Sequence, residues 1–422
     1  MNERLLQFIW QHLYFNQEQL VATNGHDIQI LSQGILNSNQ GPDFLHAKMI
    51  MNNITWAGNI ELHIKTSDWE KHGHTNDEHY NNIILHVVWV HDVKDDQSVP
   101  VLELKNRISN SLLSKYNELM LQNQFIPCEN QISGVNDLVW MSWKERMVAE
   151  RLYEKNEKIN QLLQQTNYHW EEVFWQMLAR NFGIPINTDA FETVAKSIPV
   201  TILAKHKNQI HQLEALLLGQ AGLLNQEFTE DYPVLLQKEY QFLKKKLQLQ
   251  TLSILMNFLR MRPSNFPTIR LAQLAMLIHE SSHLFSKILE ANDLETIKKL
   301  LSVTANDYWH YHYTLNEPSA YKVKKLGNMM VENILINTII PVLFSYAMHH
   351  NKENLKQKAI QWLQQLPKEK NSITKKWEAC SVNHENAFDS QALLYLKKNY
   401  CTAKLCLNCA IGNSILKKQL TS

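Results

Sequence analysis

The sequence has few cysteines and almost no net charge, and its first residues contain no long apolar run. Its five cysteines in 422 residues are too few for a disulfide framework. With 42 basic and 41 acidic residues, the formal net charge is +1, which excludes a global polycation. Any nucleic-acid contact must therefore depend on a local basic patch. The opening segment, MNERLLQFIWQHLYF, lacks the apolar core and cleavage site of a signal peptide, so we expect a cytoplasmic protein with reduced thiols.

The length and hydrophobicity are those of a globular protein with two or three domains. The chain is 44% hydrophobic and 20% charged, which excludes a disordered protein. The longest apolar run, Ile334 to Met348, contains Asn337 and Pro341 and is too short to span a bilayer. We expect it to form a buried helix, and we expect no membrane contact.

The N-terminal part alternates between helix and strand patterns. Apolar spacing predicts a helix over residues 3–15 and strands over residues 28–36, 44–51, 54–65, 83–90 and 99–104. A short polar, helix-like segment follows Ser67, which resembles a helix N-cap. This order of elements predicts a mixed α/β domain over residues 1–125.

Nearly all patterns beyond this domain are helical. Helices are predicted over residues 139–165, 171–182, 210–224, 232–249, 269–278, 284–289 and 326–346. We expect an all-α domain over residues 138–390, followed by a basic, cysteine-containing segment, 391–422, that packs on the rest. The predicted fold class is therefore α+β.

One predicted strand carries three ionisable side chains on one face. Successive side chains of a strand alternate between faces, so Glu61, His63 and Lys65 are expected to project from the same side. Asp43 lies at the start of the preceding strand, in the sequence GPDF. Two carboxylates suit a hard divalent cation such as Mg²⁺ or Mn²⁺. Such an ion activates water and stabilises developing charge on a phosphate.

This pattern resembles the PD-(D/E)XK phosphodiesterase superfamily. Its core has the order helix, hairpin, helix, strand, with Pro-Asp in one strand and an acid and a lysine in the next. The resemblance implies that Asp43 and Glu61 bind the cation and that a neighbouring cationic group orients water or phosphate. The chain departs from the pattern at the third position, where His63 stands in place of lysine. Either His63 replaces that lysine, or Lys65 reaches in from two residues further along.

A second resemblance involves histidines that follow a tryptophan. GPDF followed by SDWEKHGH is similar to the very-short-patch mismatch-repair endonucleases. This implies that Asp43 holds the metal and that His72 or His74 serves as general base. Both histidines are alternatively solvated loop residues, or ligands of a transition metal. His86, within an apolar strand, is expected to be a hydrogen-bonded core histidine.

Three cysteines are crowded near the C-terminus. Cys401, Cys406 and Cys409 offer three thiolates to a zinc ion or an iron–sulfur cluster. The alternative is that they are buried apolar thiols. The fourth ligand would have to be Cys380, Cys128, His384 or another group.

Three arginines surround two prolines in the sequence RMRPSNFPTIR. Arg260, Arg262 and Arg270 precede or begin a predicted helix, where arginines suit phosphate binding. They equally suit salt bridges and carbonyl contacts that brace the loop. Both alternatives stay open.

Several longer blocks carry a wider resemblance. They are NSNQGPDF, WAGNIELHIKTSDWEKHGH, NNIILHVVW, VFWQMLARNFGIPINTDAF, EALLLGQAGLL, RMRPSNFPTIRLAQLA and YCTAKLCLNCAIGN. Through them the chain resembles a bacterial family known as domain of unknown function 2851. The resemblance implies a shared architecture but brings no established activity.

The leading hypothesis is a metal-dependent phosphodiesterase that acts on DNA or RNA. The helical region would position the substrate. One rival is a non-catalytic nucleic-acid-binding or scaffold protein that retains a nuclease-like fold. Another is a metal-binding protein whose histidines and cysteines are structural or regulatory.

Overall fold

The chain forms two compact units. A computed structural model describes residues 1–72, 77–93, 99–281 and 283–417. The first unit consists of residues 1–145, 375–383 and 393–422, and the second of residues 146–374 and 384–392. An N-terminal region rich in sheet is followed by a large helical region, which confirms the coarse prediction of a mixed α/β chain. The predicted domain limits at residues 125, 138 and 390 stay predictions.

A seven-stranded sheet lies in the first unit. Its strands are β1 Leu20–Val21, β2 Asp27–Ser32, β3 Ile35–Leu36, β4 Phe44–Met51, β5 Ile54–Lys65, β6 Ile83–Val90 and β7 Val101–Glu103. Their order is β1-β2-β4-β5-β6-β7, with β3 paired to β4. Strands β4 and β5 are antiparallel, whereas β6 pairs in parallel with both β5 and β7. The predicted hairpin, central strand and edge strand are confirmed.

Local sequence explains the two central features of this sheet. Asn52 and Asn53 connect β4 to β5 with φ values of 46° and 63°. A tight hairpin turn requires such positive φ angles, and asparagine tolerates them. Strand β6 is a continuous run of β-formers, and its Leu85, Val87 and Val88 are fully buried. This burial is typical of a strand that is paired in parallel and covered on both faces.

The α-helices that precede or follow the strands in the described N-terminal region are α1 Glu3–Gln11, α2 Asp68–Lys71 and α3 Asn110–Leu121. Helix α1 begins at Asn2, whose side chain accepts a hydrogen bond from the Leu5 backbone N–H at 2.9 Å. The prediction that this helix reaches residue 15 is wrong, because Leu13 has a φ of 52° and the chain turns there. Ser67 precedes α2, but its hydroxyl donates to Asp92 instead of capping the helix.

The remaining elements are mostly helical. The further helices are α4 Asp137–Gln165, α5 Trp170–Phe182, α6 Thr188–Ser197, α7 Val200–His206, α8 Ile210–Gln220, α9 Asp231–Lys246, α10 Pro267–Glu280, α11 Leu284–Glu290, α12 Leu294–Leu301, α13 Asp307–His310, α14 Asn328–Ile334, α15 Ile340–His349, α16 Glu353–Gln365, α17 Ser372–Ala379, α18 Ala387–Leu396 and α19 Ala410–Lys417. A small hairpin of β8 His312–Thr314 and β9 Glu317–Pro318 interrupts them. All seven predicted helices are present, with ends that shift by a few residues.

One apolar helix stands out in the second unit. Helices α14 and α15 join through a π-helical turn, Leu335–Ile339, into 22 residues from Asn328 to His349. Its length and composition alone would allow it to cross a membrane. The expectation that this apolar segment is too short to span a bilayer is therefore wrong, because the helix extends beyond Ile334 to Met348 at both ends. However, 72% of its most apolar 18-residue window is buried inside the protein, as in the core helix of a soluble protein. The prediction of a buried helix is therefore confirmed.

Candidate active site

Acidic and imidazole side chains meet near the carboxyl end of β5. The register of the β4–β5 hairpin pairs Phe44 with Ile60. Asp43, which immediately precedes β4, consequently lies beside Glu61. A bulge between Phe44 and Ala47 adds one residue to β4 close to this point. Bulges re-aim neighbouring side chains, and they are common next to functional sites. The hairpin thus brings together the two acids that the sequence had singled out.

Hydrogen bonds fix the Asp43 carboxylate. Its Oδ1 accepts from Gln7 Nε2 on α1 at 2.8 Å, and its Oδ2 accepts from the Leu62 backbone N–H at 3.0 Å. The backbone N–H of Asp43 donates to Glu61 Oε2 at 3.0 Å. Asn37 holds the preceding loop through a bond from its side-chain amide to the Pro42 carbonyl. Asp43 and Glu61 are therefore held at the same place by separate elements.

The two carboxylates repel each other in a largely buried setting. Burial is the main cause that raises the pKa of Glu61, and the charge of Asp43 raises it further. Burial also raises the pKa of Asp43, although the bonds from Leu62 and Gln7 oppose the rise. The charge of Glu3 raises both pKa values. The site thus disfavours ionisation of both acids at the same time, and a bound cation would relieve this cost.

Three histidines form a continuous chain beside the acids. His63 Nδ1 lies 2.9 Å from His86 Nε2, and His63 Nε2 lies 3.0 Å from His72 Nδ1. His63 Nε2 is also 3.7 Å from Glu61 Oε1. His63 and His86 are both 1% exposed, so the prediction that His86 is a hydrogen-bonded core histidine is confirmed. Trp69 of α2 packs against His86, with ring centroids 5.0 Å apart.

Glu3 completes this cluster, and the sequence had given no reason to single it out. Ligand atoms of Glu3, His63 and His72 all lie within 4.8 Å of one another. Two imidazoles and a carboxylate are donors that a transition metal accepts. Glu3 is the first residue of α1, so in the sequence it resembles an ordinary acid in a first helical turn. Gln7 follows one turn later on the same face, and that spacing is the only local signal of a shared role.

Tyr80 is a second neighbour that sequence reasoning missed. Burial raises its pKa to about 12, and the charges of Glu61 and Asp43 contribute to the rise. These charges act on the phenol because it lies close to both acids. Its ring also contacts Trp69, with centroids 6.1 Å apart.

Two predicted site residues are not part of this cluster. Lys65 is exposed at the last position of β5, and its backbone N–H donates to Asp68 Oδ2 at 3.0 Å. The pKa of Asp92 is lowered chiefly by the Ser67 backbone N–H and partly by the charge of Lys65. The charge of Lys65 thus acts on Asp92, whereas His63 stands beside Glu61. The other residue, His74, lies outside the described residues.

The predicted arginine cluster divides in two. Arg260 and Arg262 are exposed, with Arg260 at a φ of 61°. Arg270 turns into its own segment, where Nη2 donates to Asn265 Oδ1 at 2.7 Å and Nη1 donates to Gln273 Oε1 at 3.1 Å. Burial lowers its pKa to about 10. Arg270 therefore braces the loop before α10, and Arg260 and Arg262 remain the candidates for phosphate contact.

The C-terminal cysteines come together with one distant cysteine. Cys128, Cys401, Cys406 and Cys409 line the same small cavity. Cys380 instead lines a separate pocket with Phe125 and Lys376. His384, the other possible fourth ligand, belongs to the second unit. Of the fourth ligands that the sequence left open, Cys128 is the one that shares a cavity with the three.

Comparisons with known proteins identify a family and no activity. No curated protein and no solved structure matches the chain. Residues 3–372 match a family described as "Protein of unknown function (DUF2851)". Because this match covers far more than half of the chain, the protein belongs to the DUF2851 family.

Proposed function

We propose that the first unit is a metal-dependent phosphodiesterase that acts on nucleic acid. One observation carries this proposal: Asp43 and Glu61 are held together by a 3.0 Å hydrogen bond in a largely buried site that disfavours ionisation of both acids at once. Two mutually repelling carboxylates are costly for a purely structural role, because each disfavours ionisation of the other. Perturbed carboxyl groups beside histidines are typical of catalytic sites.

The topology supports a PD-(D/E)XK-like core. In chain order, helix α1, the antiparallel hairpin β4–β5, helix α2 and the parallel strand β6 follow the order of that superfamily. Asp43 corresponds to the aspartate of its Pro-Asp pair, and Glu61 to the acid of the next strand. His63 corresponds to the lysine. Its position 3.7 Å from Glu61 favours replacement of the lysine by this histidine over a contribution from Lys65.

The residues present fit a divalent cation. Carboxylate oxygens of Asp43 and Glu61 are the donors that Mg²⁺ and Mn²⁺ prefer, and a cation would relieve their repulsion. When bound, such an ion lowers the pKa of a water and stabilises charge on a phosphate. Gln7 and the Leu62 N–H orient the Asp43 carboxylate through hydrogen bonds. His63 is positioned to bind a phosphate oxygen or to accept a proton, and His86 fixes its ring.

The test is cleavage of single- and double-stranded DNA and RNA with Mg²⁺ or Mn²⁺. Wild type is compared with Asp43→Asn and Glu61→Gln, which keep the side-chain shapes. Asp27→Asn, an exposed acid at the start of β2, is the matched control. We expect cleavage by wild type and the control, and a loss of at least a hundredfold in the two site variants. Absence of cleavage of every substrate, or equal cleavage by all variants, would refute the proposal.

A second candidate function is transition-metal binding at the same place. The mutual closeness of Glu3, His63 and His72 favours it, because imidazoles suit Zn²⁺ or Mn²⁺ better than Mg²⁺. Titration of the metal-free protein with Zn²⁺, Mn²⁺ and Mg²⁺, with affinity and cleavage measured for each ion, distinguishes this candidate function from the phosphodiesterase. Tight zinc binding without cleavage, lost in His72→Ala, would favour a structural or regulatory metal site.

The remaining rival is a protein that binds nucleic acid without cleaving it. Exposed Arg260 and Arg262 would then contact phosphates. Binding that persists in Glu61→Gln and weakens with salt, without cleavage by wild type, would favour this rival. For the phosphodiesterase and for this rival alike, we propose a cytoplasmic location.

A further inference from the structure

Four cysteines of the first unit line one cavity of about 20 Å³. Cys128, Cys406 and Cys409 are each less than 9% exposed, and Cys401 is partly exposed. All four are free thiols. Cys128 lies far from the other three in sequence, so tertiary folding and not local spacing assembles the group. Metal sites commonly include one ligand that is distant in sequence from the others. The C-terminal C-x₂-C pair would not by itself bring Cys128 to the same place.

Short turns hold the three C-terminal cysteines in place. Cys401 ends a π-helical turn, Cys406 begins a 3₁₀ turn, and Cys409 immediately precedes α19. The turn and α19 approach each other very closely at Gly412. A Cβ atom added there would lie 2.2 Å from the Cys406 carbonyl oxygen. Only glycine permits this approach, so the backbone around the thiols is tightly specified.

The cavity is a poor environment for free thiolates. Burial raises the pKa of Cys128 and of Cys406 to about 12, and neighbouring cysteines raise both further. Burial also raises the pKa of Cys401 and of Cys409. Without a ligand the four groups are therefore neutral thiols near neutral pH. Their environment excludes the exposed, low-pKa setting of a reactive cysteine.

The sulfur of Cys409 lies at the start of α19, where backbone N–H groups are unpaired within the helix. The backbone N–H groups of Ile411 and Gly412 interact with this sulfur. Hydrogen bonds to sulfur are a usual feature of iron–sulfur sites.

We propose that Cys128, Cys401, Cys406 and Cys409 bind an iron–sulfur cluster. Four thiolates are the standard ligand set of such clusters. The four cysteines line one cavity. The choice of a cluster over a single zinc ion depends on the spacing of the sulfurs.

The spacing of the sulfurs agrees with this choice. A tetrahedral zinc site holds its sulfurs about 4 Å apart. In the part of the chain that the structure describes, Glu3, His63 and His72 make up the group with ligand atoms within 4.8 Å, and the cysteines do not. A cluster of several irons binds its thiolates at separate corners and therefore further apart. On binding, each thiol loses one proton to solvent and its sulfur forms one bond to iron, without electron transfer.

The experiment is metal and sulfide analysis of the full chain purified without oxygen. We expect iron and acid-labile sulfide in equal amounts, up to about four of each per chain. We also expect a broad visible absorption that bleaches on reduction with dithionite. Cys128→Ser should lower the iron content at least tenfold. Cys380→Ser, outside this cavity, is the matched control and should retain wild-type iron.

Three results would overturn the proposal. They are absence of iron in wild type even after reconstitution with equal amounts of ferrous and ferric iron and with sulfide, one zinc per chain in place of iron, and equal iron in wild type and Cys128→Ser. If Cys128→Ser does not fold by circular dichroism, the iron and sulfide content of wild type still decides. The proposal is independent of the phosphodiesterase, since a cluster without cleavage, or cleavage without a cluster, would separate the two.

Discussion

Replacing Glu61 with glutamine should stabilise the metal-free protein at alkaline pH. Glu61 is 6% exposed, and burial together with the charge of Asp43 raises its pKa. A folded-state pKa above the unfolded value means that the folded protein binds a proton that the unfolded chain has released. The contribution of Glu61 to the free energy of unfolding is therefore largest below about pH 4, where this carboxyl is protonated in both states. It falls as the pH rises towards the raised pKa of the folded state. Glutamine removes this loss.

The magnitude follows from the contacts of the side chain. Glutamine retains an oxygen that can accept the 3.0 Å hydrogen bond from the Asp43 backbone N–H, so little bonding is lost. The pKa of Glu61 is raised to about 8, and one pKa unit corresponds to 1.36 kcal/mol, so glutamine should gain about 2–4 kcal/mol at pH 8. For a domain of this size that is a rise in Tm of roughly 5–15 °C. At pH 4 the difference should vanish, because Glu61 is protonated.

Differential scanning calorimetry at pH 4, 6 and 8 with a chelator measures this difference. Asp27→Asn removes an exposed acid of the same sheet and should leave Tm within about 1 °C at every pH. A gain for Glu61→Gln that is equal at pH 4 and pH 8 would show that charge repulsion is not its cause. A loss of stability at pH 8 would refute the reasoning. Mg²⁺ or Mn²⁺ should raise the Tm of wild type and not that of Glu61→Gln.

Two further predictions concern residues outside the candidate active site. Arg270→Ala should cost about 1–3 kcal/mol in urea unfolding because it removes the bond to Asn265, whereas exposed Arg262→Ala should be neutral. In a binding assay Arg262→Ala should instead lower the salt dependence of nucleic-acid affinity, and an unchanged salt slope would contradict phosphate contact. Gly412→Ala should cost about 3 kcal/mol and reduce bound iron, because the new Cβ would meet the Cys406 carbonyl at 2.2 Å. Wild-type iron and stability in that variant would refute the close approach.

Local patterns were sufficient for the centre of the sheet. The turn at Asn52 and Asn53 separates two alternating runs, and the run Ile83–Val90 contains only residues that favour strands, apart from His86. These signals act within a few residues, so the hairpin and β6 could be read from the sequence. The hairpin register then brings Asp43 to Glu61. The acid pair was predictable for that reason.

Long-range contacts were not predictable from such patterns. Glu3 reaches His63 and His72 because α1 packs on β5, and nothing in the first helical turn signals that contact. Cys128 was one of several candidates for the fourth ligand, and only tertiary folding distinguishes it from Cys380 and His384. The end of α1 was missed for another reason. Apolar spacing continues to Leu13, but the positive φ of that residue breaks the helix, which periodicity does not encode.

If the proposed correspondence with the PD-(D/E)XK superfamily holds, His63 takes the place of a lysine, and this changes what the site can do. Lysine carries a fixed charge at neutral pH, whereas an imidazole ordinarily titrates near pH 6.5. His63 makes one nitrogen–nitrogen hydrogen bond to His86 and one to His72, and each of these bonds contains a single hydrogen. If His63 is doubly protonated it donates to both neighbours, so the facing nitrogens of His86 and His72 must both be unprotonated. If His63 is neutral, one neighbour donates to it. The three rings therefore form a continuous hydrogen-bonded path from the exposed His72 to the buried His86, which a lysine at this position would not provide.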